Sequence, residues 1–139
     1  MNNLSQADRE KLKYYEAKVI ADKIREALLD LDVASNVVYG GNSIQVMNLD
    51  ETTYSVYIWC RLTWDADLKY CNINLSTVSF SDDLQRKGHL TKIYNTLRKC
   101  KYIKYITIGS VCTDEMLNWC KKNKFKQCNN TNDYIIRCN

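Results

Sequence analysis

Apolar side chains recur at helical spacing near the start of the chain. Leu12, Tyr15, Val19, Ile20, Ile24, Ala27, Leu28 and Leu31 share one stripe, with Lys, Glu, Asp and Arg opposite. Ser5 stands ahead of the stripe as an N-cap, with Asp8 three residues on. The pattern predicts one amphipathic helix over 5–31, roughly seven turns long, whose stripe packs on a core. From residue 34 the period falls to two. Residues 34–39 end at Gly40-Gly41-Asn42, a hairpin turn signal, and 43–49 returns. After Asp50-Glu51-Thr52, the alternation of Tyr54, Val56, Ile58, Cys60 and Leu62 predicts a long strand over 54–63. Trp64-Asp65-Ala66-Asp67 turns the chain into a fourth strand over 68–80. Segment 34–80 therefore reads as an antiparallel meander.

The fourth strand changes phase. Cys71, Ile73 and Leu75 place apolar residues on odd numbers, whereas Val78 and Phe80 place them on even numbers. A strand side chain flips face at every residue, so the switch requires a slip of one position or a change of burial where the strand leaves the sheet. A β-bulge near Ser76-Thr77 gives that slip. Next, Leu90, Ile93, Tyr94 and Leu97 predict a helix over 90–101, and 102–109 reads as a short strand covered on both faces. Thr113 caps a third helix, with Asp114 and Glu115 in its first turn and Lys121 and Lys122 in its last, as the helix dipole favours. Tyr134-Ile135-Ile136-Arg137 predicts a final strand after the Asn-rich turn 129–132. Strand 68–80, helix 90–101 and strand 102–109 form a βαβ unit. The fold class is therefore α/β (α+β): a mainly antiparallel mixed sheet with one central parallel pair, flanked by helices.

The 139 residues are 45% hydrophobic and 26% charged, which fits one globular domain over 1–139, made of 1–33, 34–80 and 81–139. No stretch approaches the roughly 20 apolar residues that span a bilayer. The start has neither a basic nor an apolar leader region, so a cytoplasmic location without a signal peptide is expected. Fourteen Asn and no Pro suggest an AT-rich genome, a viral one among the candidates. Seven Cys without C-x-x-C spacing, and a single His, argue against structural zinc, and most of these Cys read as reduced, buried small hydrophobes. Charge is uneven. Residues 1–83 carry 8 Lys+Arg against 13 Asp+Glu, and residues 84–139 carry 12 against 3. The C-terminal part thus suits a phosphate-bearing ligand or nucleic acid.

The segment Gln85-Arg86-Lys87-Gly88-His89-Leu90 joins a strand to a helix. A helix N-terminus offers unpaired N–H groups and partial positive charge, Gly88 permits close backbone approach, and Arg86 and Lys87 add formal charge. Together they make a pyrophosphate cradle. His89 reads either as a phosphate contact or as a solvated polar residue. A bulged strand, then Q/R-x-x-G-x-G/A, then a helix resembles the acyl-CoA-binding core of the GNAT superfamily of N-acetyltransferases. Gln85, Gly88 and Leu90 occupy the motif positions, Leu90 departing from its Gly/Ala. The run from Thr113 to Phe125 extends the resemblance, which covers about 68–137. Lys124 departs from the usual Gly before Phe125.

The resemblance implies cofactor contacts by Val78, Phe80, Gln85, Arg86, Lys87, Gly88, His89 and Leu90 to acetyl-CoA as co-substrate, with strands 68–80 and 102–109 splayed around the pantetheine. The family's general-acid tyrosine falls on Cys120. No Asp or Glu lies between Leu68 and Phe80, so a base is sought at Glu115, Asp82 or Asp83, or through water. The single N-terminal helix also departs from the family's usual start. The implied function is N-acetyl transfer from acetyl-CoA to an amine of a small molecule or protein, with no metal and no membrane partner. Two other readings stand beside it. One is a catalytically inactive GNAT-like binding protein. The other, which no recognised nucleic-acid motif in the sequence supports, is a small basic nucleic-acid-binding protein, for which Tyr54, Tyr57, Trp59 and Trp64 would supply stacking rings.

Overall fold

The computed structural model describes residues 4–29, 36–50, 53–81, 84–85 and 87–138, with backbone alone at 48–50 and 53–55. Ser5 caps the first helix, α1 (Gln6–Ala27), its hydroxyl accepting the Asp8 N–H at 3.1 Å. The stripe divides along this helix. Ala17, Ile20, Ala21, Ile24 and Leu28 are buried, whereas Leu12 and Tyr15 are 41% and 61% exposed. The expected core stripe is therefore only the C-terminal half. The earlier turns run over the tip of the first hairpin, where Gly41 faces Lys13 and Tyr14 and leaves little surface to bury them. Leu31 lies outside the described residues.

Four strands follow as the alternation predicts: β1 (Val37–Tyr39), β2 (Ser43–Asp50), β3 (Thr53–Trp64) and β4 (Cys71–Phe80). Then come α2 (His89–Arg98), β5 (Ile103–Ile108), α3 (Asp114–Lys122), β6 (Lys126–Gln127) and β7 (Tyr134–Arg137). The sheet order is β1-β2-β3-β4-β5-β7-β6. β4 and β5 are parallel, and every other pair is antiparallel. This is the mixed, mainly antiparallel sheet with one central parallel pair that the resemblance implies. β6 was not expected: two exposed residues give no periodicity to read.

The bulge lies where the phase change put it. Trp59 pairs with Thr77 and Cys60 with Leu75, so Ser76 is the extra residue. Cys71, Ile73 and Leu75 stay buried beneath the helices. Beyond Ser76, Val78 and Phe80 take over that face, paired with Ile58 and Val56. Cys60, Cys71, Cys100 and Cys120 are buried within one apolar core with Ile20, Ile58, Ile93 and Ile106. No described helix is long and apolar enough to cross a membrane.

Candidate functional site

The parallel pair parts at the bulge. β4 pairs with β5 from Cys71↔Ile103 to Leu75↔Ile108, and the Gly109 N–H donates to the Leu75 carbonyl at 3.0 Å as the last link. Beyond it, residues 76–80 have no β5 partner among the described residues. The extra residue at Ser76 turns β4 away, and a cleft of about 790 Å³ opens. Its walls are the end of β4 (Val78, Ser79, Phe80), the loop and first turn of α2 (Gln85, Gly88, His89, Leu90, Thr91), and one side of α3 (Glu115, Met116, Trp119, Lys122).

The floor of the cleft is the N-terminus of α2. Gly88 is its N-cap at φ 80°, a left-handed conformation that suits glycine, and nothing lies within 4 Å of where its Cβ would stand. Gly88 brings no side chain to cap this helix, and among the described residues no acid stands in its first turn. α1 and α3 differ: Ser5 and Thr113 cap them, and Asp8, Asp114 and Glu115 stand in their first turns. Thr113 Oγ1 accepts the Met116 N–H at 3.2 Å. The positive end of α3 is thus answered from within the chain, and that of α2 faces the cleft.

Three contacts hold this geometry. Gln85 Nε2 donates to the Phe80 carbonyl at 2.8 Å, clipping the loop to the end of β4. Trp119 Nε1 donates to Thr91 Oγ1 at 3.0 Å and ties α3 to α2. The Trp119 ring also stands edge-on to Tyr94, 5.5 Å away. His89 is buried rather than solvated, with its ring 5.9 Å from Phe80. The phase shift that brings Phe80 onto this face supplies that cover.

Of the expected contacts, Val78, Phe80, Gln85, Gly88, His89 and Leu90 come together in the cleft, and so does Glu115. Lys87 is exposed on the same loop without lining the cleft. Arg86, Asp82 and Asp83 lie outside the described residues. Cys120 is not in the cleft. It is fully buried, and burial pushes its thiol up to about 11. Successive residues of an α-helix point about 100° apart, so Trp119 on the cleft side sends Cys120 into the core. A thiol packed there has no route to a leaving group, which removes the expected general acid.

Sequence reasoning missed a second group on the other side of the split. A Cβ at Gly109 would meet Asn74 Oδ1 at 3.4 Å and Asp133 Oδ1 at 3.7 Å. Asn74 Oδ1 is buried with no hydrogen-bond partner among the described residues, and Asp133 Oδ1 accepts the Ser110 N–H at 2.9 Å. Ser110 is held at φ 52°, a strained value for a residue with a side chain. Two acceptor oxygens thus converge where β4 and β5 separate. The Gly109-Ser110 step at a strand end was the available signal. Among the described residues, no group of three or more His, Cys, Asp or Glu could hold a metal ion.

In comparisons with known proteins, no protein-family model and no curated protein matches the chain. Among solved structures it is similar to Arabidopsis thaliana NAA60 in complex with a bisubstrate analogue. That likeness has 9% identity and a TM-score of 0.49, covering 84% of this chain and 92% of that one. It is also similar to Arabidopsis thaliana Naa50 in complex with the bisubstrate analogue CoA-Ac-MVNAL, at 14% identity and a TM-score of 0.46, covering 78% and 77%. Both identities are too low to carry residue roles across, so each role is taken from this chain's own geometry.

Proposed function

We propose that the chain is an acetyl-CoA-dependent N-acetyltransferase. The observation that carries the reading is the split sheet: a bulge frees the β5-side edge of β4 at 76–80, in the same cleft as a helix N-terminus whose N-cap, Gly88, has no side chain to cap it. The fit to acetyl-CoA follows from the chemistry of these parts. Amides of an extended arm can hydrogen-bond a free strand edge as an added strand would. A pyrophosphate suits the open N–H groups of α2, and Gly88 leaves it room. The apolar walls from Val78, Phe80, Met116 and Trp119 suit the arm's methylenes.

The reaction needs few groups. The amine nitrogen attacks the thioester carbonyl carbon, the C–S bond breaks, CoA leaves as its thiolate, and the nitrogen gives up one proton. In this reading the amine enters from the far side of the split, where Asp133 and Asn74 beside Gly109 offer oxygens that accept N–H. In this reading Asp133 takes the proton and Asn74 orients the amine. The alternative of an inactive binding protein is favoured by one observation, the withdrawal of Cys120 into the core.

The test is turnover of acetyl-CoA with a panel of amines, with products read by mass spectrometry. Asp133→Asn keeps an oxygen for the Ser110 N–H and removes the base. It is expected to lower kcat by about 10²–10⁴-fold while acetyl-CoA binding is unchanged. Binding without turnover of any amine would make the inactive reading correct.

A further inference from the structure

The two faces of the sheet are unlike. Toward the helices the strands present buried side chains, such as Ile44, Ile58, Ile73 and Ile106. The pairing register places Tyr57, Trp59, Arg61, Asn74, Tyr105 and Arg137 on the opposite face. None of those six is buried, and Arg61 and Arg137 are exposed.

Rings and cations interleave there. The Arg61 guanidinium lies 5.8 Å from the centre of the Trp59 ring. Lys104 Nζ lies 5.4 Å over Tyr70 and 6.0 Å over Tyr105. Arg137 pairs directly with Tyr105, and Lys126 pairs with Ile135 on the same face. No described strand residue of this face is acidic. Asp133 stands beyond the strand ends, beside Gly109.

We propose that this open sheet face binds single-stranded nucleic acid. Unpaired bases stack on exposed rings whatever their identity, and Arg and Lys beside those rings meet the phosphates. A duplex hides its bases and takes a helix or narrow ribbon in its groove, which a broad sheet does not offer. An acidic peptide would satisfy the cations and leave the rings without a stacking partner. The face shares Asn74 with the amine side of the proposed reaction but no residue with the acetyl-CoA cleft, and its test contains no acetyl-CoA.

The test is fluorescence anisotropy of the full chain with a labelled oligothymidylate of about twelve nucleotides. Binding is expected to weaken with salt, with log K falling by about 0.7 per phosphate contact for each unit of log[salt]. Arg61→Glu with Arg137→Glu, both at exposed sites, is expected to weaken it at least about tenfold and to flatten the salt slope. Lys11→Glu with Lys99→Glu makes the same charge change elsewhere and should leave affinity within about twofold. Tyr105→Leu should weaken binding with the slope unchanged, since stacking carries no counterions. The proposal is overturned if no binding appears at low salt at about 100 μM protein. It is equally overturned if the control pair weakens binding as much, or if labelled oligoglutamate binds as well as the oligonucleotide.

Discussion

Cys120 and Trp119 are adjacent in the chain and part company in the fold. Trp119 lines the cleft and donates to Thr91, while Cys120 is sealed in the core. The same contrast runs through the cysteines. Burial pushes the Cys60 and Cys71 thiols up to about 12 and Cys120 to about 11, whereas Cys112 is exposed. At neutral pH, iodoacetamide on the native protein is expected to label Cys112 first, with Cys60, Cys71, Cys100 and Cys120 modified only on unfolding. Peptide mapping by mass spectrometry reads this, and early labelling of Cys120 would place it in the cleft after all. The pH consequence has a definite sign. These thiols are neutral when folded and ionise near 9 when unfolded, so their stabilisation is complete below about pH 9. It is lost as pH rises toward 11–12, because the unfolded chain then binds fewer protons than the folded one. That these residues are buried was legible from their type and from the absence of metal spacing. Which way Cys120 points was not, because a helix's rotation is set by its neighbours.

Among the elements, β4 decides the site. Its phase change was readable because strand periodicity is strict, and the bulge at Ser76 follows from residues within one short stretch. The α2 start was readable for the same reason: Gly88 and the apolar run behind it are local. Asn74, Gly109 and Asp133 were invisible because they meet only through the β4–β5 and β5–β7 pairings. That group yields a prediction at this scale. Gly109→Ala places a methyl 3.4–3.7 Å from Asn74 Oδ1, the Ser76 Cα and Asp133 Oδ1, which is ordinary contact. The variant should fold and bind acetyl-CoA as the parent does, yet transfer acetyl to amines at least about tenfold more slowly, for want of correct amine placement. Comparing kcat with the acetyl-CoA Kd checks it. A fall in kcat together with a rise in that Kd would put Gly109 in the cofactor cleft instead.

At the scale of the whole molecule, the helices gather on one face and the split sheet connects two sides. The first side holds the Gly88 N-cap of α2 and the cleft. The second is the open face, with Asn74 and Asp133 at its entrance. The charge imbalance was legible and correctly located a basic C-terminal half, but composition alone does not say which face of the sheet bears which cations. The central claim is that the cleft holds acetyl-CoA. The most direct measurement is a thermal-shift titration of the parent and Gly88→Trp with acetyl-CoA, CoA and ATP. A Cβ at Gly88 meets no described atom within 4 Å, so Trp there costs about 1–2 kcal/mol of left-handed strain and carries its ring into the cradle. In the parent, acetyl-CoA at about a hundred times its Kd should raise Tm by roughly 8 °C. ATP, which lacks the pantetheine arm, should not, and Gly88→Trp should keep its own baseline Tm and lose the shift. No shift with acetyl-CoA at millimolar concentration, or an equal shift with ATP, would contradict the claim.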